Sequence, residues 1–139
     1  MRIAIFGKNC KKEDLCYIED LLSQISLRSD KLIIAKEFFT YLQDKIIFPE
    51  NSSIVALEED KISTRQIDVL FSLGGDGTLL DTLSVVKNSC IPVLGINLGH
   101  LGFLTSVGRA DIKNLLTEIE KKHYKFEKHS VLQASCEAL

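Results

Sequence analysis

The sequence predicts an α/β fold, a parallel β-sheet with helices on its faces, and three observations carry that expectation. Short apolar runs alternate along the chain with stretches whose apolar residues recur at three- and four-residue steps. Two of the runs, IDVLFSL and IPVLGIN, are nearly all apolar, as strands buried on both faces are. Glycine-rich segments follow both runs directly, where loops at the carboxyl ends of parallel strands would stand. This alternation favours βα units over an all-α or all-β arrangement.

Taken in order, RIAIFG (Arg2–Gly7) is a short apolar run ended by glycine and reads as the first strand. Leu15, Ile18, Leu22 and Ile25 then mark one face of a helix. KLIIA (Lys31–Ala35) is a second strand, and Phe38, Phe39, Leu42 and Ile46 share a helical face after it. SIVAL (Ser53–Leu57) reads as a third strand, and the polar EEDKISTRQ (Glu58–Gln66) as a loop. IDVLFSL (Ile67–Leu73) is the next strand, and TLLDTLSVVKN (Thr78–Asn88) a helix with Leu79, Leu80, Leu83 and Val86 on its apolar face. IPVLGIN (Ile91–Asn97) is another buried strand, followed by the glycine-rich loop LGHLGFLTSVG (Leu98–Gly108). Asp111 is placed to cap a helix carrying Ile112, Leu115, Leu116 and Ile119. From Tyr124 through Phe126 to Val131 and Leu132 a partial two-residue alternation reads as strand. The expected organisation is therefore a Rossmann-like α/β domain over residues 1–122 and the start of a β-rich second domain over residues 123–139. No internal repeat or low-complexity tract is seen.

Composition narrows the function. The chain has 139 residues, enough for one domain with a real core. It is 45% hydrophobic and 26% charged, a globular balance that argues against disorder. Seventeen lysines and arginines face 19 acids, without a basic block, which argues against a general nucleic-acid surface. No apolar run approaches the roughly 20 residues of a membrane span, and the N-terminus turns charged too soon for a secretory signal. Cys10, Cys16, Cys90 and Cys136 form no C-x-x-C pair and read as reduced thiols, so the expected location is the cytoplasm.

The stretch FSLGGDGTLLDTL raises the question of chemistry. Three of the eight glycines fall within four residues, around Asp76. Glycine lets backbone N–H groups approach a ligand with no Cβ in the way. A glycine loop opening into a helix offers unpaired N–H groups and the positive end of the dipole to an anion, and phosphate is the natural guest. A carboxylate beside phosphates is unfavourable by itself. It makes sense where it orients or deprotonates an attacking hydroxyl, or sits near a magnesium ion. The competing reading is a tight turn with Asp76 capping the next helix. The pattern is neither G-x-x-x-x-G-K-[ST] nor G-x-G-x-x-G.

GGDGT (Gly74–Thr78) resembles the motif shared by NAD kinases, diacylglycerol and sphingosine lipid kinases and 6-phosphofructokinases. GINLGHLGFLT (Gly95–Thr105), downstream, closely resembles the second motif of NAD kinases, and the ordered pair points to that family. The resemblance implies an α/β N-terminal domain followed by an all-β domain, with the family's Asn-Glu motif expected beyond Leu139, so that this piece alone is expected to be inactive. It implies transfer of the γ-phosphoryl of ATP, carried with Mg²⁺, to the 2′-hydroxyl of the adenosine ribose of NAD, giving NADP, in a homo-oligomer (dimer or tetramer).

By its place in the motif, Asp76 is the implied acceptor of the hydroxyl proton. Gly74, Gly75 and Gly77 leave room for phosphate and ribose. Thr78 is open between a ligand hydroxyl and an ordinary first-turn residue. Phe103 matches the aromatic that lies against adenine in the family, with core packing as the alternative. Asn97 either bonds the ligand or turns the chain. Gly99 and Gly102 bring the second loop's backbone close, and His100 between them is a rim residue. Lys8 follows the first strand and reads as a solvated lysine more than a phosphate contact. No acidic cluster reads as a metal cage. A lipid kinase would lack the Gly99–Phe103 pattern, a phosphofructokinase would need grouped arginines, and a non-catalytic dinucleotide-binding module remains the third alternative.

Overall fold

The computed structural model describes residues 1–29, 31–99, 102–105, 107–109, 111–132, 134 and 135. Five strands form one parallel sheet: β1 (Ile3–Gly7), β2 (Lys31–Ala35), β3 (Ser53–Leu57), β4 (Val69–Gly74) and β5 (Val93–Asn97). Their order across the sheet is β3-β2-β1-β4-β5, and every neighbouring pair is parallel. The helices are α1 (Asp14–Ser26), α2 (Lys36–Leu42), α3 (Glu59–Ile62), α4 (Asp76–Val86) and α5 (Ile112–Glu120). The α/β expectation and all five strands of the sheet are therefore met.

The two central strands explain the near-continuous apolar runs. All five residues of β1 are buried, and in β4 Leu70, Phe71 and Leu73 are sealed from solvent. Such strands cannot alternate polar and apolar, because helices cover both faces of the sheet. Ile18, Leu21, Leu22 and Ile25 of α1 close one part of the core, and α5 packs against α1 with Ile112 and Leu116. Asp111 caps α5 as its position predicts, accepting from the N–H groups of Lys113 at 3.1 Å and Asn114 at 3.3 Å. Such a cap stabilises a helix by about 1 kcal/mol.

From β1 the chain steps outward to β2 and β3, then returns to the other side of β1 for β4 and β5. The direction reverses between β1 and β4, and ligands of open α/β sheets bind beyond the carboxyl ends of the strands at such a reversal. Gly7 ends β1 beside Leu73, and Gly74 ends β4 beside Asn97. The sheet thus brings the ends of β1, β4 and β5 to one rim.

Three expectations need correction. EEDKISTRQ is not all loop: Glu59–Ile62 forms the short helix α3, held by the fully buried Ile62. The face of α4 is rotated from the one expected. Of the expected face Val86 is buried, together with Thr82 and Val85, whereas Leu80 and Leu83 are 53% and 45% exposed. Thr82 tolerates burial because its hydroxyl donates back to the Leu79 carbonyl. Finally, the described residues from 123 to 135 form neither helix nor strand and are exposed. An extended segment becomes a strand only where another strand satisfies its backbone, and none pairs with this one among the described residues.

The rotated face of α4 is testable in this chain. Val85→Ala removes buried apolar volume and should cost about 2 kcal/mol. Leu80→Ala, on the exposed side, should stay within about 0.5 kcal/mol of the parent. Urea unfolding of both variants checks the assignment, and a larger loss for Leu80→Ala would restore the leucine face.

Candidate active site

The two glycine-rich loops meet at the rim. Their starts are joined directly, the Leu98 N–H donating to the Gly74 carbonyl at 3.0 Å. Gly74 has φ +156°, and a Cβ there would collide with the Thr78 side chain, so the sharp exit from β4 requires glycine. Gly75 is the N-cap of α4 with no side chain to offer, and the helix opens with Asp76 in its first turn.

Asp76 does not cap its own helix, so the simpler reading of the motif fails. Its carboxylate reaches across to the second loop. Oδ2 accepts from the Phe103 N–H at 2.7 Å, and Oδ1 from the N–H groups of Leu104 and Thr105, both at 3.1 Å. The Thr105 hydroxyl lies 3.3 Å from Oδ1. Gly102 permits this approach, since a Cβ there would overlap the carboxylate. Partial burial pushes the Asp76 carboxyl upward. The N–H groups of Thr105, Phe103 and Leu104, with the Thr105 hydroxyl, outweigh that and hold its pKa below the ordinary aspartate value.

Asn97 is buried at the end of β5 and organises the second loop. Its Oδ1 accepts from the Gly99 N–H at 2.8 Å, its Nδ2 donates to Thr105 Oγ1 at 3.0 Å, and its own N–H donates to the Val107 carbonyl at 2.7 Å. Of the two roles open from sequence, turning the chain is the one these bonds serve. Arg109 closes the loop's far side: its Nε donates to the Leu98 carbonyl at 2.9 Å, and its guanidinium is ion-paired with the buried Asp14 of α1.

Phe103 is fully exposed, at 104% of its reference surface, which removes core packing as its role in this chain. Gly75 and Gly77 have open space where a Cβ would stand. Thr78 is half-buried and lines a cleft of about 510 Å³ with Gly7, Lys8, Asn9, Glu37, Phe38 and Glu59. Within that cleft Lys8 pairs with Asp81 of α4 at 2.6 Å, and this hydrogen bond raises its pKa. Burial pushes the Glu59 carboxyl up, reinforced by the neighbouring charge of Glu37. A second hollow of about 480 Å³, lined by Met1, Arg2, Gln66, Ile67 and Asp68, carries no glycine loop.

The structure therefore brings together Gly74, Gly75, Asp76, Gly77, Thr78, Asn97, Gly99, Gly102 and Phe103. His100 lies outside the described residues. Sequence reasoning missed Thr105 as a member, although it closes the quoted motif. A small β-branched hydroxyl after an apolar loop carries no signal of its own, and only the convergence of Asp76 and Asn97 on it shows its place. Among the described residues no group of three or more histidine, cysteine or acidic side chains is arranged to hold a metal ion, and no helix is long and apolar enough to cross a membrane. Cys10, Cys16 and Cys90 are free thiols.

Known proteins resemble this chain in sequence and in fold. The family model for the ATP-NAD kinase N-terminal domain matches residues 34–124. The chain is 31% identical over 144 aligned residues to the NAD kinase of Flavobacterium johnsoniae, covering 99% of this chain and 46% of that protein. It is 33% identical over 140 residues to the NAD kinase of Flavobacterium psychrophilum, covering 98% of this chain and 46% of that protein. The chain thus spans about half the length of the curated relatives it matches. In fold it is similar to the crystal structure of yeast NADH kinase complexed with NADH, with a TM-score of 0.70 and 23% identity over 87% of this chain and 38% of that one. Matched by the family model over most of its length and by relatives from end to end, the chain belongs to the NAD kinase family.

Proposed function

We propose that this chain is the α/β half of an enzyme that transfers the γ-phosphoryl of ATP to the 2′-hydroxyl of the adenosine ribose of NAD, giving NADP. One observation carries the reading: the lone carboxylate of the GGDGT loop, set on open glycine backbone, is bonded to the loop that carries an exposed aromatic ring. On this reading residues 1–122 form the α/β domain, and residues 123–139 start a β-rich region whose strands need partners that the described residues do not supply. The protein works in the cytoplasm as a homo-oligomer.

Asp76 stays anionic at neutral pH, because its hydrogen bonds favour the charged form. A depressed pKa also means modest basicity. Asp76 is therefore suited to orienting the ribose hydroxyl and taking its proton as the new O–P bond forms, when that proton turns acidic, rather than to removing it beforehand. Gly75 and Gly77 leave their backbone accessible to phosphate and ribose. Mg²⁺ carried by ATP would supply charge neutralisation at the transferring phosphoryl group. The Phe103 ring offers a flat apolar face for adenine at little cost in side-chain entropy.

Incubating the whole protein with ATP, Mg²⁺ and NAD, and following NADP with an NADP-specific dehydrogenase, tests the assignment; NAD binding without NADP formation would refute it. Asp76→Asn should lower kcat by about two to four orders of magnitude, with a smaller effect on NAD binding. Near-parental kcat would remove the base role.

Phe103→Ala should weaken NAD binding by about 5- to 150-fold, the range of base–aromatic stacking. Its melting temperature should barely move, because the ring packs on nothing to begin with. Calorimetry and a ligand-free melt separate the two effects, and unchanged affinity would exclude stacking.

Protonation gives a further check. The folded pKa of Asp76 lies below its unfolded value of about 3.9, so its stabilising contribution is complete above that value and is lost as pH falls through the folded pKa. The stability gap between parent and Asp76→Asn should be constant above about pH 5 and close only below about pH 4. A gap that closes near neutrality would contradict the bonding at Asp76.

A further inference from the structure

Thr105 is 4% exposed and holds three polar groups together. A threonine hydroxyl has one proton and two acceptor positions. Both acceptor positions are occupied, by Asn97 Nδ2 at 3.0 Å and by the Gly102 N–H at 3.2 Å. Asn97 cannot present its oxygen to Thr105, because its Oδ1 accepts from the Gly99 N–H at 2.8 Å. Among the described residues the Thr105 proton is thereby left with one destination, Asp76 Oδ1, at 3.3 Å.

The consequence appears at the carboxylate. A carboxylate offers about two acceptor positions on each oxygen. Three donors converge on Oδ1: the N–H groups of Leu104 and Thr105 and the Thr105 hydroxyl. Among the described residues Oδ2 receives only the Phe103 N–H. Oδ1 is saturated, and Oδ2 keeps one position open.

We propose that Thr105 is a positioning residue for phosphoryl transfer, whose hydroxyl ties Oδ1 of Asp76 to Asn97 and the Gly102 turn and so holds Oδ2 toward the acceptor hydroxyl. This rests on the reading of Asp76 as the proton acceptor. Without the Thr105 hydroxyl, the carboxylate loses its tie to Asn97 and the Gly102 turn, can rotate, and no longer holds Oδ2 in one direction for the ribose hydroxyl. Asn97 acts one step further back, by fixing the direction of the Thr105 proton. Among the described residues the other charged groups around this rim are committed elsewhere: Asp81 to Lys8, and Arg109 to Asp14, while Glu37 and Glu59 line the neighbouring cleft.

The test compares Thr105→Val with Thr105→Ser in the whole protein, assayed with ATP, Mg²⁺ and NAD. Thr105→Val should lower kcat by about 10- to 100-fold, the scale of a misplaced reacting group, with KM for NAD little changed. The acid limb of its kcat/KM profile should move to higher pH, since a donor to the charged carboxylate is gone. Thr105→Ser, which keeps the hydroxyl, should restore both. Equal loss in the two variants, or parental kcat and an unmoved acid limb in Thr105→Val, would overturn the proposal. Asp76→Asn run alongside separates the two claims. Parental kcat there fails the base reading itself, whereas loss there with parental Thr105→Val fails only the positioning role. If Thr105→Val does not fold, the parent protein decides by NMR. A slowly exchanging Thr105 hydroxyl proton coupled to the Asp76 carboxylate is expected, and a freely exchanging one would overturn the assignment.

Discussion

The rim of this domain depends on a single carboxylate that bridges two loops far apart in sequence. Asp76 leaves the first turn of α4 and accepts the N–H groups of Phe103, Leu104 and Thr105. Three successive amides pointing one way would each need a partner, and one anion serves all three. Gly74 and Gly102 are the steric conditions for this. The first turns the chain out of β4 without striking Thr78, and the second lets the loop backbone lie against the carboxylate. Both would collide if given a Cβ, whereas Gly75 and Gly77 would not. The glycines of one motif thus divide into those that build the loop and those that leave it open.

The sheet supplies the frame. β1 and β4 are neighbours although the chain visits β2 and β3 between them, and this reversal puts the loop after β1 beside the glycine turn after β4. β5 adds Asn97 to the same rim, and the Leu98–Gly74 hydrogen bond fixes the separation of the two loop starts. Arg109 ties the end of the second loop to α1 through Asp14. The loop is held at its beginning, middle and end by polar contacts, with Leu98 and Thr105 buried beneath it, which explains how it can carry exposed residues and still have a defined course.

Much of this was legible in the sequence because strands and loop motifs are written locally. The five strands follow from apolar runs of the right length, and the meeting of the loops follows from both standing after strands of one parallel sheet. What was not legible depended on contacts between distant segments. The buried face of α4 is set by its packing on β4 and β5, where Val85 joins the expected Val86 in the core while Leu80 and Leu83, which fit the same helical stripe, face outward. The helix α3 is hard to read because one buried residue, Ile62, secures three polar ones. Thr105 escaped because its role exists only when Asn97 and Asp76 arrive on either side of it.

Phe103 shows how these constraints reach function. A fully exposed aromatic ring gains nothing from the core, so its position must come from its backbone. That backbone is fixed by the hydrogen bond from its own N–H to Asp76 Oδ2, the shortest of the carboxylate's bonds. The ring and the carboxylate are consequently one mechanical unit: a base stacked on Phe103 loads the same bond that orients Asp76. Where adenine and ribose belong to one ligand, seating the first on the ring sets the distance from the second to the carboxylate. Binding energy gathered at the adenine is then available to hold the hydroxyl in place, which is how remote contacts of a substrate come to raise the rate of a chemical step.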